Sequence, residues 1–408
     1  MRVEEPDRDG GARPLVSFGG GSELRAIELF AGAGGLGIGV SRAGFTPALV
    51  VERDHWCCDT LRENRKKADS PVRRWPEPHE GDIQDVDFSP FEGIDVVTGG
   101  PPCQPFSLGG RHRAHGDHRD MWSEAVRAIR ETRPKAFIFE NVKGLKRQAF
   151  ATYLSYILLQ LQHPSLGRRD DEAWDDHLRR LQQHHTGKGE IEYRVVHELR
   201  NTADYGVPQK RERVVFVGFR SDISAGWAFP KPTHSLDGLL FQQFRSGEYW
   251  DRHRIANRER ATSQKYSGRG KSLLVPPSER PWLTVRDALS DLPDPERHPR
   301  LADAVLNHRF QPGARSYPGH TGSPLDEPAK TLKAGVHGVP GGENMLRRAD
   351  GSVRYFTVRE SARLQTFPDS YALHGAWSEA MRQMGNAVPV TFGEVIARSV
   401  AKHLRKAA

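Results

Sequence analysis

Apolar and polar positions divide this chain into two kinds of sequence. From residue 24 to 142, short apolar runs recur: AIELF (26–30), ALVVE (48–52), DVVTG (95–99) and AFIFENV (136–142). Polar or helix-patterned stretches separate them, which predicts βαβ units and a parallel sheet buried on both faces. YLSYILLQLQ and DEAWDDHLRRLQQHH give helical periodicity across 149–185, broken by HPSLGRRDD. YRVVHEL (193–199) and RVVFVGFR (213–220) predict two antiparallel strands at the end of the sheet. After Arg220 the pattern changes. Residues 221–345 are rich in Pro, Gly, Arg and His and hold few apolar runs, as in FRSGEYWDRHRIANRERATSQKYSGRGK. They predict a loop-rich lobe of short strands with a basic, aromatic surface, either a solvated spacer or a nucleic-acid reader. Helical patterning resumes in TVRESARLQTF (357–367) and in the closing PVTFGEVIARSVAKHLRKAA.

The fold class this predicts is α/β: a doubly wound, mostly parallel sheet plus a smaller loop-rich domain. A length of 408 residues, beyond one ordinary core, agrees with two lobes. No apolar run approaches 18 residues, so no membrane span is expected. The opening MRVEEPDRDGGARPLVSFGGGSE lacks the basic start and apolar stretch of a signal peptide, which predicts a flexible N-terminus and a cytoplasmic protein. Three cysteines, Cys57, Cys58 and Cys103, supply neither a disulfide framework nor a structural metal site. One isolated cysteine is a nucleophile or a small buried apolar group. The net charge is +8, and 46 of the 60 basic residues are Arg, which is compatible with a nucleic-acid partner.

The candidate chemistry gathers where strands end. IELFAGAGGLGIGV (27–40) runs a strand through Glu28 and Phe30, then turns through Gly32, Gly34 and Gly35 into a helix. Such a turn lets a ligand approach the backbone at the carboxyl edge of a doubly wound sheet. The spacing is neither the dinucleotide nor the triphosphate fingerprint. Glu52 at the end of the second strand could take both hydroxyls of a ribose, and Asp82 in EGDI could accept from an exocyclic amine; each is also readable as a surface acid. Taken together on consecutive strand ends, the acids favour an adenosyl pocket. VVTGGPPCQPFSLGG (96–110) holds Cys103 on a stiff, proline-rich loop at a strand terminus, an odd place for a packing residue. FIFENV (137–142) delivers Glu140, a carboxyl able to hold or donate a proton unless it is simply exposed there. In PQKRERVVFVGF (208–219), Arg211 and Arg213 share one strand face and invite an anion or a polarised carbonyl. A thiolate, a carboxyl donor and an arginine beside an adenosyl pocket suit attack on a flat, electron-poor ring such as cytosine. The thiolate adds to carbon 6, Glu140 steadies the protonated nitrogen 3, and Arg213 holds the 2-carbonyl. Carbon 5 then takes a methyl group and loses its proton as the thiolate leaves.

The ordered set ELFAGAGG (28–35), Glu52, GDI (81–83), GGPPCQPFS (99–107), ENV (140–142), QKRER (209–213), RESARLQTFP (359–368) and GNAVP (385–389) resembles the DNA (cytosine-5-)methyltransferases of bacterial restriction–modification systems. The resemblance implies a fold that binds S-adenosyl-L-methionine, with Cys103 as nucleophile, Glu140 as ring-nitrogen partner, Arg213 as carbonyl clamp and Arg211 beside it. It also implies cofactor contacts from Phe30, Ala31, Gly32, Gly34, Gly35, Glu52, Asp82, Ile83, Pro102, Asn386 and Val388, and no metal. Gln104 and Ser107 would sit on a loop that closes over DNA, and Thr331 with Leu332, which anchor the end of the target-recognition segment, would be DNA-binding residues as well. The implied division is a flexible 1–23, a catalytic domain of 24–220 with a return segment 378–408, a recognition domain of 221–345, and a hinge of 346–377. Residues 150–190 look like an insertion. The implied substrate is double-stranded DNA with its target base flipped out, handled by a nucleoid-associated monomer, with a cognate endonuclease of the same system making no direct contact. A tRNA cytosine methyltransferase is the alternative, disfavoured by the long basic lobe. A catalytically dead DNA-binding relative would show damaged Cys, ENV or QxRxR elements, and none is damaged.

Overall fold

The computed structural model describes residues 23–102, 121–184, 191–223, 226–260, 264–334 and 344–407. In chain order, β1 (Leu24–Leu29), α1 (Gly35–Arg42), β2 (Phe45–Glu52), α2 (His55–Arg65), β3 (His79–Glu80), β4 (Val96–Gly99), α3 (Trp122–Thr132), β5 (Ala136–Val142), α4 (Ala151–Gln162), α5 (Trp174–Gln182), β6 (Tyr193–Asn201) and β7 (Glu212–Arg220) form the main α/β body. Its seven strands lie in the order β3-β2-β1-β4-β5-β7-β6. The first five pair in parallel, and β7 runs antiparallel to both β5 and β6. All six strands expected from the apolar runs are present; the seventh, the two-residue His79–Glu80, stops before Asp82, which therefore does not end a strand.

Both faces of the sheet are buried, which is why its strands read as continuous apolar runs. On one face Ala26, Val96, Ile138 and Val217 pack against Leu36 of α1 and against Phe392, Ile396 and Val400 of the C-terminal helix Val390–Ala407. On the other, Leu29, Val97, Phe137, Phe139 and Phe216 pack against Trp122 and Ile129 of α3 and Ile157, Leu161 and Leu181 of α4 and α5. The reading of 150–190 as an insertion is therefore corrected: α4 and α5 complete a core layer. Strand order reverses between β1 and β4, so the crevice beyond their carboxyl ends is the topological switch point at which such sheets bind ligands.

The stretch 221–345 has short strands and helices. His234–Ser235 pairs with Arg280–Pro281, and Ser323–Pro324, Met345–Arg347 and Val353–Tyr355 make a three-stranded sheet. The aromatic surface expected here forms only in part. Tyr317 is exposed, but Tyr249, Trp250 and Trp282 are buried with Leu239 against Ala203 of the main body. A stretch poor in aliphatic runs uses its large rings as core, because each ring buries more apolar area than any aliphatic side chain. A second cluster, Val285, Leu289, Leu332, Leu346, Phe356 and Leu364, joins the region to the helix Val358–Leu364. That helix starts on a capping box: Thr357 accepts from Glu360 N (3.1 Å), and the Glu360 carboxylate accepts from Thr357 N (2.8 Å). Among the described residues no helix is long and apolar enough to cross a membrane.

Candidate active site

The register of β5 and β7 builds the centre of the site. β5 ends at the crevice with Glu140, Asn141 and Val142, and because β7 runs the other way, its beginning arrives at the same edge, with Arg213 opposite Val142. The Arg213 guanidinium forms an ion pair with the Glu140 carboxylate, and both residues are buried, 8% and 9% exposed. Burial pulls the Arg213 guanidinium below its ordinary pKa, and the Glu140 charge pushes it back up. β4 meets this edge from its other side through Gly100, Pro101 and Pro102. The Asn141 amide donates to the Pro101 carbonyl at 3.0 Å and tethers the proline segment to β5. Sequence reasoning gave Asn141 no role; the signal was that a proline run has carbonyls to satisfy and no N–H of its own. Cys103, Gln104 and Ser107 lie outside the described residues.

The neighbouring end of β1 carries the glycine turn. Phe30, not a glycine, has φ 54°, an unusual conformation that marks a constrained turn. Gly32 (φ 55°) and Gly34 (φ 87°) supply left-handed backbone, and nothing lies within 4 Å of where a Gly32 side chain would start. Ala31 N donates to Val51 O at 3.1 Å, fixing the turn on β2. Gly32 N and Asp54 N donate to the two oxygens of Glu52 at 2.7 and 2.8 Å. Burial raises the Glu52 pKa, and those backbone donors oppose the rise. Each carboxylate oxygen has a further lone pair to offer, so Glu52 remains able to take a diol. Asp82 caps a short turn through Gln84 N (3.1 Å) and sits 3.8 Å from the Arg53 guanidinium, while Ile83 is a buried core residue. Pro102 and Asn386 are exposed and Val388 is buried. Open space at the turn, an oriented diol acceptor and an exposed rim fit an adenosyl cofactor.

Gly35 is also a packing position: a side chain there would strike the Val388 carbonyl, so its smallness lets the C-terminal segment seat on α1. Three expectations are corrected. Among the described residues no anion hydrogen-bonds Arg211; it is fully buried and donates to the carbonyls of Leu332 (2.9 Å) and Gly385 (2.7 Å). Leu332 is a core residue, and the Thr331 hydroxyl donates to Lys210 O at 2.7 Å, so both act in packing the chain rather than facing outward. Glu28 is sealed under α1, 2% exposed, instead of lining the crevice with Glu52 and Asp82.

Glu28 makes a prediction of its own. Its carboxyl meets the Thr98 hydroxyl, which also lies 3.3 Å from Ile27 O, and burial raises its pKa to about 8. A protonated Glu28 lets one hydroxyl serve both neighbours: Glu28 donates to Thr98, and Thr98 donates to Ile27. Because the folded pKa exceeds the unfolded value of 4.5, stability is full below about 4.5 and is lost as pH rises toward 8. Linkage sets the slope at roughly 1.4 kcal/mol per pH unit in that window. Glu28→Gln, whose amide donates at every pH, should flatten the wild-type decline in urea midpoint across it. Parallel pH profiles for the two proteins would refute a protonated Glu28.

The family model described as C-5 cytosine-specific DNA methylase matches residues 24–164 and 175–402. The chain belongs to the C-5 cytosine-specific DNA methylase family. It is 32% identical over 389 residues to the Type II methyltransferase M.PspPI of Psychrobacter sp., covering 93% of this chain and 80% of that protein. It is 36% identical over 306 residues to the Type II methyltransferase M.AquIA of Picosynechococcus sp., covering 71% and 100%. Its fold is similar to that of the S. pombe Dnmt2 methyltransferase, with a TM-score of 0.53 at 16% identity over 94% of this chain and 99% of that one. As a C-5 cytosine DNA methylase the protein acts on DNA, which sets the tRNA alternative aside, and its family and fold imply use of S-adenosyl-L-methionine. The unmatched stretch 165–174 covers most of the connection between α4 and α5 and the first residue of α5, so the two helices are otherwise matched by the family model.

Proposed function

We propose that the protein methylates one cytosine of a short duplex DNA sequence, flipped out of the helix, through a covalent bond between Cys103 and carbon 6. The observation that carries this reading is the buried Glu140–Arg213 pair beside the tethered proline segment that leads into Cys103. A carboxyl and a guanidinium held rigidly together match the nitrogen 3 and 2-carbonyl edge of cytosine, one giving a proton and the other accepting developing charge. The Cys103 thiolate forms its bond to carbon 6 as nitrogen 3 takes a proton held by Glu140, and Arg213 stabilises the 2-oxygen. Carbon 5, now an enamine carbon, would take the methyl group as that group's bond to the donor sulfur breaks. Loss of the carbon 5 proton to solvent restores the ring double bond and expels the thiolate, and nitrogen 3 gives its proton back to Glu140, so the enzyme ends as it began.

When bound, S-adenosyl-L-methionine supplies the electrophilic methyl group. We assign the ribose hydroxyls to Glu52, the adenine to Phe30 with the Asp82 and Ile83 edge, and the methionine end to the backbone from Ala31 to Gly34, with Pro102, Asn386 and Val388 on the rim. Residues 221–345 read the target sequence, and Gln104 and Ser107 close over it. Base readout needs side chains at groove edges, which a loop-rich, basic region can supply. The protein works as a monomer on nucleoid DNA in the cytoplasm, because one site takes one flipped base at a time, and a cognate endonuclease would cut the same sequence without touching it.

Bisulfite sequencing of plasmid DNA from cells expressing the protein tests the reading. Protected cytosines are expected in one recurring short context and absent with Cys103→Ala. Soluble protein that binds S-adenosyl-L-methionine yet protects no cytosine would overturn it.

A further inference from the structure

Arg211 sits in an unusual place for a permanent charge. It is fully buried, the charges acting on it are those of Arg213 and, in the opposite sense, Glu140, and no carboxylate among the described residues hydrogen-bonds it. A buried cation with no carboxylate hydrogen-bonded to it is costly unless its donors are used. Here Nη1 and Nη2 donate to Leu332 O and Gly385 O, at 2.9 and 2.7 Å. Two residues earlier, Gln209 is buried as well. Its carbonyl oxygen accepts from Leu332 N (2.9 Å), and its amide donates to Gln365 Oε1 (3.1 Å) and Leu364 O (3.3 Å). Gln365 in turn donates to Met384 O (2.5 Å) and Ala387 O (3.2 Å). Gly385 closes the ring of contacts, since a side chain on it would strike the backbone of Lys333 and Ala334. Three side chains thus join four segments far apart in sequence: the start of β7, residues 331–334, the end of the helix Val358–Leu364, and residues 384–388.

We infer that Gln209 and Arg211 are positioning residues that lock the root of the recognition region to the cofactor-side segment, so that one buried junction sets the geometry of both the DNA and the S-adenosyl-L-methionine sites. This rests on the proposed roles of residues 221–345 and of Asn386 and Val388. Leu332 lies next to Thr331 at the end of the recognition region, and Gly385 immediately precedes Asn386. A shift of either carbonyl moves the segment that presents its ligand. The guanidinium holds both carbonyls at once because its donors form a rigid, planar fork, a task that a single ammonium does not replace.

The test measures two dissociation constants separately: S-adenosyl-L-methionine by calorimetry without DNA, and a cognate duplex by fluorescence anisotropy without cofactor. Arg211→Met should weaken each by about tenfold or more, the loss expected for charge-assisted hydrogen bonds to a positioned partner. Turnover at saturation of both ligands should stay within a few-fold. Partial unfolding would do the opposite, lowering the active fraction and leaving both constants alone. Arg211→Lys should recover one affinity at most. Normal affinities with lost turnover would overturn the inference and put Arg211 against the reacting base. Loss of only one affinity would also overturn it, since the residue would then serve a single segment. If Arg211→Met does not fold, Gly385→Ala probes the junction from its other side with Arg211 in place, and both affinities should again fall together; unchanged affinities there would refute the junction. Wild-type protein that binds neither ligand would refute the proposed function instead, so the two failures are distinct.

Discussion

Replacing Glu140 with Gln should lower kcat by about 10²- to 10⁴-fold, the range for losing a positioned general acid. The duplex and S-adenosyl-L-methionine affinities should stay within a few-fold. The substitution preserves shape and hydrogen-bonding length and removes two things: the proton the carboxyl can hold and the charge facing Arg213. Arg213 then keeps one hydrogen bond of its own, to Glu212 O at 2.9 Å, but loses its counter-charge in a buried site. A measurable fall in thermal midpoint should accompany the kinetic loss, since breaking a buried pair leaves an uncompensated ion. Single-turnover methylation separates the outcomes. A change confined to KM, with kcat intact, would make Glu140 a binding residue and remove it from the proton path.

Cys103→Ser carries the larger expected effect. A serine hydroxyl is almost wholly un-ionised near neutrality, whereas a thiol can reach its nucleophilic thiolate form, so methyl transfer should fall to background. Binding of duplex and cofactor should remain. A duplex carrying 5-fluorocytosine at the target gives a second readout, because that ring has no carbon 5 proton to lose and the covalent adduct cannot resolve. Wild-type protein should yield a denaturation-resistant adduct, and the Ser variant none. An adduct formed by the variant would place the nucleophile elsewhere.

The apolar runs determined the sheet. Six strands, the direction of the last two and the helical cover are readable from sequence because strands buried on both faces must be apolar at nearly every position. The ends of those runs also determined where chemistry gathers, since Glu52 is the last residue of β2, Glu140 lies near the end of β5 and the Phe30 turn follows directly on β1. Register and side-chain partners were left to the tertiary structure. The Glu140–Arg213 pair joins positions 73 residues apart, and it exists because β7 enters antiparallel to β5 with Arg213 opposite Val142. The same limit explains the misplaced residues. Arg211 shares a strand face with Arg213, and sequence alone cannot distinguish a guanidinium facing a substrate from one facing two carbonyls 121 and 174 residues away. Leu332 looks like a member of a functional motif, yet its surroundings are a core cluster. Residue type and local period are written along the chain, whereas the partner that satisfies a buried polar group is set by which distant segment packs against it.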